Sequence, residues 1–135
     1  MIADHKPRIL VVDDELPVCK SICYTLAQEE YQVDRALSGE EALQQLRSQA
    51  YEVMIVDLMM PGMSGMDVLA AARKTDPQMS IVIMTAYPST RTAVQSVKEG
   101  AFDYLPKPFT PRELLTSVER ALQGRRPIGD MDAAD

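Results

Sequence analysis

Five side chains that could do polar chemistry stand where apolar runs of the sequence end. Asp13 and Asp14 follow the first run, and Asp57 closes a run of four apolar residues in the middle of the chain. Thr85 ends a further run, and Lys107 follows the last one. Each residue alone is ordinary in a strand end or on a surface. Together, the carboxylates, hydroxyl and ammonium indicate a site that binds a divalent cation and a phosphoryl group.

Three carboxylates brought together repel one another, at a cost of roughly 1 to 4 kcal/mol for each close pair. A fold keeps such a cluster when a cation neutralises it or when one acid stays protonated. The ligands are hard oxygens without His or Cys partners, so Mg²⁺, with Mn²⁺ as a substitute, is favoured over zinc. Carboxylates can also act as nucleophiles and form aspartyl phosphates.

The elements that must position these side chains are strands and helices in alternation. Strand patterns occupy residues 8–12, 31–36, 53–57, 80–84 and 102–105. An amphipathic helix pattern follows each of them. Three helix starts carry a hydroxyl residue followed three positions later by an acid, which predicts a capping box; they are Ser38 with Glu41, Ser64 with Asp67, and Thr110 with Glu113.

The fourth helix pattern is the weakest of the five. It runs from about Thr90 to Glu99, and its apolar face would consist of Ala93, Val94 and Val97. Gly100 suits the position just after its C-terminal cap. Because a helix with a short apolar face is weakly anchored, we expect this helix to be the element most easily displaced.

The strand patterns also predict the sheet order. Strands one, three and four are continuously apolar and should be central, whereas strands two and five alternate and should be edges. With right-handed crossovers, the order 2-1-3-4-5 satisfies this. The predicted fold is therefore α/β, a flavodoxin-like doubly wound (βα)5 unit with a five-stranded parallel sheet. Ligands of such sheets bind at the switch point between strands one and three, where Asp13, Asp14 and Asp57 would lie.

Composition excludes several other classes of protein. The 135 residues suffice for one domain, and 46% hydrophobic with 25% charged residues is ordinary for a globular chain. A net charge of −6 argues against direct nucleic-acid binding. No run approaches the ~18 apolar residues of a membrane span, and no signal peptide is evident, so we expect a cytoplasmic protein. Cys19 and Cys23, four apart, are predicted to be core residues of the first helix.

Four short motifs, in this order, resemble those of the receiver (phosphoacceptor) domains of two-component response regulators. They read ILVVDDE from Ile9, VDLMMPGMSG from Val56, MTA from Met84 and YLPKPF from Tyr104. The resemblance covers nearly the whole chain. It implies a receiver domain over residues 6–123, and we expect residues 124–135 to be a mobile tail or the start of a linker.

The resemblance implies a role for each site residue. Asp57 would be the phosphoacceptor, and Asp13 and Asp14 would hold Mg²⁺ together with Asp57 and the backbone carbonyl of Met59. Lys107 would pair with one phosphoryl oxygen. The Thr85 hydroxyl and the Ala86 amide would bind the others.

The family also implies a switch, a cis Lys107–Pro108 bond and a phosphoryl lifetime that depends on the positions of Met59 and Tyr87. Phosphorylation adds about −1.5 to −2 charges. It would draw Thr85 inward, so that Tyr104 turns from exposed to buried. The face made by the fourth helix, the last strand and the last helix would then carry the message, with a homodimer through this face as one form.

The implied partner is a sensor histidine kinase or a phosphotransfer protein. The chain would be a signalling phosphoacceptor that assists its own phosphorylation and dephosphorylation, not an enzyme. The run from Ala101 resembles receivers joined to transcriptional output domains. We expect no room for an effector after Gln123, so the chain would be either a stand-alone receiver or the N-terminal part of a longer regulator. The alternative is a stand-alone receiver that acts by protein contact or in a phosphorelay.

Two further function classes use similar parts. A haloacid dehalogenase-type phosphatase requires Asp-x-Asp-x-Thr after the first strand, where this chain has Asp13-Asp14-Glu15-Leu16-Pro17. A flavodoxin must cradle a phosphate in its first loop, and an acidic loop would repel one. A purely structural adaptor has no use for the acidic cluster together with a lysine and a threonine.

Overall fold

The computed structural model describes residues 5–124, in which strand and helix alternate five times. Each apolar run of the sequence becomes a short strand, and each amphipathic segment becomes the helix that follows it. The elements in chain order are β1 (Arg8–Val12), α1 (Leu16–Ala27), β2 (Gln32–Ala36), α2 (Gly39–Ser48), β3 (Val53–Asp57), α3 (Gly65–Thr75), β4 (Ser80–Thr85), α4 (Thr90–Lys98), β5 (Asp103–Pro106) and α5 (Pro111–Gly124).

The five strands form one parallel sheet in the order β2-β1-β3-β4-β5. The predicted order is confirmed, as is the placement of the two alternating strands at the edges. Every residue of β3 and β4 is buried, whereas β2 and β5 are only partly covered. In the central register Val12 pairs with Val56 and Asp57 pairs with Met84, so the carboxyl ends of these strands lie side by side.

Two apolar layers cover the two faces of the sheet. On one face Leu10, Met54 and Ile81 pack with residues of α2 and α3, such as Ala42 and Leu69. On the other face the opposite side chains of the same strands pack against α1 and α5. Cys19 is fully buried in this second layer, and Cys23 packs against it at half burial, so both belong to the core as predicted.

Two of the three predicted capping boxes form completely. Ser64 and Asp67 exchange side-chain to backbone hydrogen bonds at the start of α3, and Thr110 and Glu113 do so before α5. At α2 the Ser38 hydroxyl accepts from the Glu41 N–H. The Glu41 carboxylate, however, accepts from the Leu37 N–H and not from Ser38, so this box is incomplete.

The expectation that α4 is anchored by an apolar face is wrong. Val94 and Val97 are 47% and 66% exposed, and Ala93 is half-buried. The one buried residue of this helix is Ser96. The segment is a helix as predicted, but its valines face outward, and contacts from Tyr104 and Arg73 hold its two ends. Gly100 does follow the C-terminal cap, with φ of 99°.

No helix within residues 5–124 is long and apolar enough to cross a membrane. Helix α5 includes Gly124, so the predicted boundary after Gln123 falls inside its last turn. Residues 125–135 of the predicted tail lie outside the described part of the chain.

Candidate phosphoryl and metal site

Asp13, Asp14 and Asp57 meet at the carboxyl end of the sheet. One carboxylate oxygen of each lies within 4.8 Å of those of the other two. Asp13 is fully buried and Asp57 is 6% exposed, whereas Asp14 is exposed. The cluster forms because β1 and β3 are neighbours that end level with each other, as predicted.

The turns after β1 and β3 aim two of these carboxylates. Oδ1 of Asp13 accepts from the Glu15 N–H at 2.9 Å. Oδ1 of Asp57 accepts from the Met59 N–H at 3.1 Å. An aspartate that bonds to the backbone two residues on is a common turn arrangement. In both residues Oδ2 is left to face the lysine opposite.

Lys107 reaches this cluster from the loop between β5 and α5. Its Nζ donates to Oδ2 of Asp13 at 2.7 Å and to Oδ2 of Asp57 at 3.2 Å. The Lys107 N–H donates to the Thr85 carbonyl at 2.7 Å, which extends the β4–β5 pairing by one residue. The Lys107–Pro108 peptide bond is cis, as the resemblance implied.

Burial and charge act in opposite directions on the titration of these groups. Burial raises the pKa of Asp57, although the Met59 N–H and the Lys107 ammonium oppose that rise. For Lys107, burial lowers the pKa, but the hydrogen bond and charge of Asp13, with those of Asp57, outweigh it and raise the pKa overall. The lysine is therefore a firmly protonated cation that partly neutralises the cluster.

Thr85 is fully buried at the end of β4, next to the strand that carries Asp57. Its Oγ1 accepts from the Tyr87 N–H at 3.0 Å, and within residues 5–124 no hydrogen bond joins it to the acidic cluster. Ala86 follows it and is exposed. Thr85 and Ala86 thus lie at the carboxyl end of the sheet, on the strand next to the one that carries Asp57.

Tyr104 lies on β5 and is half-buried, its ring packing against the core layer on the α3 side. Its hydroxyl accepts from the Ser89 N–H at 3.1 Å and pairs with the Thr92 hydroxyl at 2.6 Å. The exposed ring expected for the resting protein is therefore not found. Ser89 and Thr92 were missed as partners, although a Ser-x-x-Thr spacing after Pro88 is a helix-start signal.

The donor set suits a hard divalent cation. Three carboxylates close together, one of them exposed, match the oxygen ligands that Mg²⁺ prefers, and no His or Cys is among them. A divalent cation held by these carboxylates would, together with the Lys107 ammonium, neutralise the negative charge of a phosphoryl group at the carboxyl end of the sheet. The resemblance to receiver domains implied this same acidic set as the Mg²⁺ ligands.

Comparisons with known proteins agree with this geometry. Residues 9–119 match the family model described as the response regulator receiver domain. The chain is 40% identical over 128 residues to the response regulator MprA of Mycobacterium ulcerans, covering 95% of this chain and 55% of MprA. It is 36% identical over 132 residues to the alginate biosynthesis transcriptional regulatory protein AlgB of Pseudomonas putida, covering 98% of this chain and 30% of AlgB. It thus spans about half of MprA and less than a third of AlgB.

Among solved structures, a CheY-like response regulator receiver domain protein of Methanospirillum hungatei superposes with a TM-score of 0.85 at 32% identity. The match covers 88% of this chain and 95% of that one. Fold, acidic cluster and sequence match lead to the same conclusion. The chain belongs to the response regulator receiver domain family, whose members are signalling phosphoacceptors and not catalytic enzymes.

Proposed function

We propose that Asp57 is the residue that accepts the phosphoryl group. The observation that supports this most strongly is the double contact of Lys107 with Asp13 and Asp57. The Lys107 ammonium lies 3.2 Å from the Asp57 carboxylate, at the end of the central strand β3. Asp13 is fully enclosed and Asp14 lies at the rim, so Asp57 is the acid that sits centrally and still reaches solvent.

The donor would be a phosphohistidine on a sensor histidine kinase or a phosphotransfer protein. An Asp57 oxygen attacks phosphorus, a P–O bond forms and the P–N bond breaks. The imidazole leaves with the electron pair and takes up a proton from solvent. Attack of water on the acyl phosphate later releases inorganic phosphate and restores the Asp57 carboxylate, which resets the switch.

Asp13, Asp14 and Asp57, with the backbone carbonyl of Met59, would hold Mg²⁺ or Mn²⁺. When bound, the cation neutralises charge and orients the phosphoryl oxygens. Lys107 would exchange its contact with Asp57 for one with a phosphoryl oxygen.

Thr85 and Ala86 would complete the phosphoryl site. The Thr85 hydroxyl would leave the Tyr87 N–H and donate to a second phosphoryl oxygen, and the Ala86 N–H would bind another. Tyr104, whose hydroxyl contacts the start of α4, would respond to the movement of Thr85. This makes Thr85 and Tyr104 the switch residues.

The face made by α4, β5 and α5 would carry the message. Apolar side chains are exposed on or beside it, including Val94, Val97 and Phe102, which is 40% exposed. The AlgB relative is named a transcriptional regulatory protein, so we infer that the output is transcriptional, through a further domain or a homodimer on this face.

The net charge of −6 argues against direct contact of this domain with nucleic acid. A cytoplasmic location fits the proposed partner, and action as a stand-alone or phosphorelay receiver is the alternative.

Incubation with acetyl phosphate and Mg²⁺, followed by intact-mass measurement, tests the acceptor. We expect the wild type to gain the mass of one phosphoryl group and Asp57→Asn to gain none. Glu15→Gln is the matched control, because it removes an exposed neighbouring carboxylate outside the cluster. A mass gain retained in Asp57→Asn would refute the assignment.

Sedimentation of phosphorylated and unphosphorylated protein tests whether the face made by α4, β5 and α5 forms a dimer contact. We expect phosphorylation to raise the dimer fraction of the wild type but not of Val97→Asp, since a charge would enter an apolar contact. Equal dimerisation of both proteins would place any dimer contact elsewhere.

A further inference from the structure

Helix α4 is held to the domain without an apolar anchor. Ser96 is its one buried residue, and the Ser96 hydroxyl donates inside the helix, to the Thr92 carbonyl at 2.7 Å. Val94 and Val97 face outward. Because most helices in proteins are stabilised by packing of an apolar face, α4 must be positioned in another way.

The N-terminal end of α4 is attached to the sheet through two side-chain hydroxyls, those of Tyr104 and Thr85. The N–H of Ser89, the N-cap residue, donates to the Tyr104 hydroxyl at 3.1 Å, and the Thr92 hydroxyl meets the same oxygen at 2.6 Å. Just before the helix, the Tyr87 N–H donates to Oγ1 of Thr85 at 3.0 Å. The two hydroxyls on the sheet are therefore those of Tyr104 and Thr85, and Thr85 lies beside the acidic cluster.

The other end of α4 is closed by the backbone. The Gly100 N–H donates to the Val97 carbonyl at 3.0 Å and the Ala101 N–H to the Ser96 carbonyl at 2.9 Å, which together form a Schellman motif. The Phe102 N–H then joins the sheet at the Ile81 carbonyl, 2.7 Å away. This end therefore depends on no residue of the site.

Arg73, in the last turn of α3, ties that closed end to the rest of the domain. Its Nη2 donates to the Gly100 carbonyl at 2.8 Å. Its Nη1 donates to the carbonyls of Pro77 at 2.9 Å and Met79 at 2.7 Å. A cation is also favourable at the C-terminal end of a helix, and hydrogen bonds from a charged donor are roughly twice as strong as neutral ones.

We propose that Arg73 is a positioning residue that fixes the C-terminal end of α4 as a pivot. The N-terminal end, held by neutral hydroxyls, then swings when Thr85 and Tyr104 move. This rests on the proposed function, because phosphorylation of Asp57 is what moves those two residues. The message would be a rotation of α4 about Gly100 and not a release of the whole helix.

Residue-resolved amide exchange before and after treatment with acetyl phosphate and Mg²⁺ tests the pivot. In the wild type we expect phosphorylation to change exchange about tenfold at residues 89–92 and to leave Glu99, Gly100 and Ala101 nearly unchanged. In Arg73→Lys, which keeps the charge but cannot span the same carbonyls, we expect those three amides to exchange faster before phosphorylation. Phosphorylation should then change exchange along all of α4.

Two further variants complete the experiment. Arg91→Lys, an exposed cation on α4, should behave as the wild type. Thr92→Val should speed exchange in the first turn alone, which keeps the test possible if Arg73→Lys fails to fold. Equal changes at both ends of α4 in the wild type would overturn the pivot. So would unaltered exchange of Gly100 and Ala101 in a folded Arg73→Lys protein.

Intact mass of the same samples separates the two proposals. Absence of a mass gain in the wild type would refute the phosphoacceptor and, with it, the swing. The comparison of unphosphorylated Arg73→Lys with the wild type would then still decide whether Arg73 fixes the helix end.

Discussion

Lys107 Nζ lies 2.7 Å from Oδ2 of Asp13 and 3.2 Å from Oδ2 of Asp57, so one ammonium bridges two carboxylates that come from different strands. The lysine side chain is 15% exposed and the two carboxylates less. In the resting domain the lysine supplies part of the positive charge that the acidic cluster needs. This relationship determines how the site should respond to mutation, pH and metal.

Loss of the lysine should make stability depend on Mg²⁺. For Lys107→Met without metal, we expect the free energy of unfolding to fall by about 1 to 3 kcal/mol, since close carboxylates are left unneutralised. Added Mg²⁺ should restore most of it. Urea unfolding with and without Mg²⁺ measures this, with Lys20→Met, an exposed lysine on α1, as the control. Equal Mg²⁺ responses of both variants would contradict the bridging role.

Asp57 should destabilise the metal-free domain at neutral pH. Its folded-state pKa is raised, chiefly by burial, so the folded form prefers the protonated acid. The stability gained from this preference is fully present below the unfolded-state pKa of about 3.9. It is lost as pH rises through the folded-state pKa. We therefore expect Asp57→Asn to be more stable than the wild type at pH 7. The difference should shrink towards pH 3, as measured by urea unfolding in a chelator. A difference independent of pH would contradict this.

Asp14 should act on metal binding with little effect on folding. It is exposed, and within residues 5–124 its side chain makes no hydrogen bond or ion pair. For Asp14→Asn we expect Mg²⁺ affinity to fall about tenfold, or ~1.4 kcal/mol, with an almost unchanged free energy of unfolding. Titration calorimetry measures this, and Glu15→Gln serves as the control. Unchanged affinity in Asp14→Asn would remove it from the ligand set.

Gly65 should be required for the position of the Asp57 backbone. A Cβ at residue 65 would overlap the Asp57 carbonyl oxygen and lie 2.7 Å from the Leu58 Cα. We expect Gly65→Ala to cost about 1 to 3 kcal/mol of folding free energy, as overpacking does, and to slow phosphorylation by acetyl phosphate. Urea unfolding and intact mass measure the two effects. Wild-type values for both would show that β3 and α3 can move apart.

The two cysteines should differ in reactivity. Cys19 is fully buried, and its pKa is raised, chiefly by the neighbouring Cys23 thiol. Cys19 in turn lowers the pKa of the half-buried Cys23. We expect an aromatic disulfide reagent to modify one thiol, Cys23, in the native protein and the second only in urea. Peptide mapping identifies the site, and rapid native modification of Cys19 would contradict its core position.

The local patterns of this chain were sufficient for the fold. Continuous apolar runs require burial on both faces, and alternating runs require it on one, so the sheet order followed from residues such as Ile55 and Val33. The position of Asp57 at the end of a central strand followed from the same argument. It needed no knowledge of contacts between distant residues.

Tertiary structure alone decided which partners these residues have. Sequence could bring Lys107 to the acidic edge, but not show that it bridges Asp13 and Asp57. It could not predict that α4 turns Val94 and Val97 outward, because the contacts that hold this helix come from Tyr104 and Arg73, on other elements. Periodicity reports which side of a helix is apolar, whereas the orientation of a weakly apolar helix depends on hydrogen bonds between segments far apart in the chain.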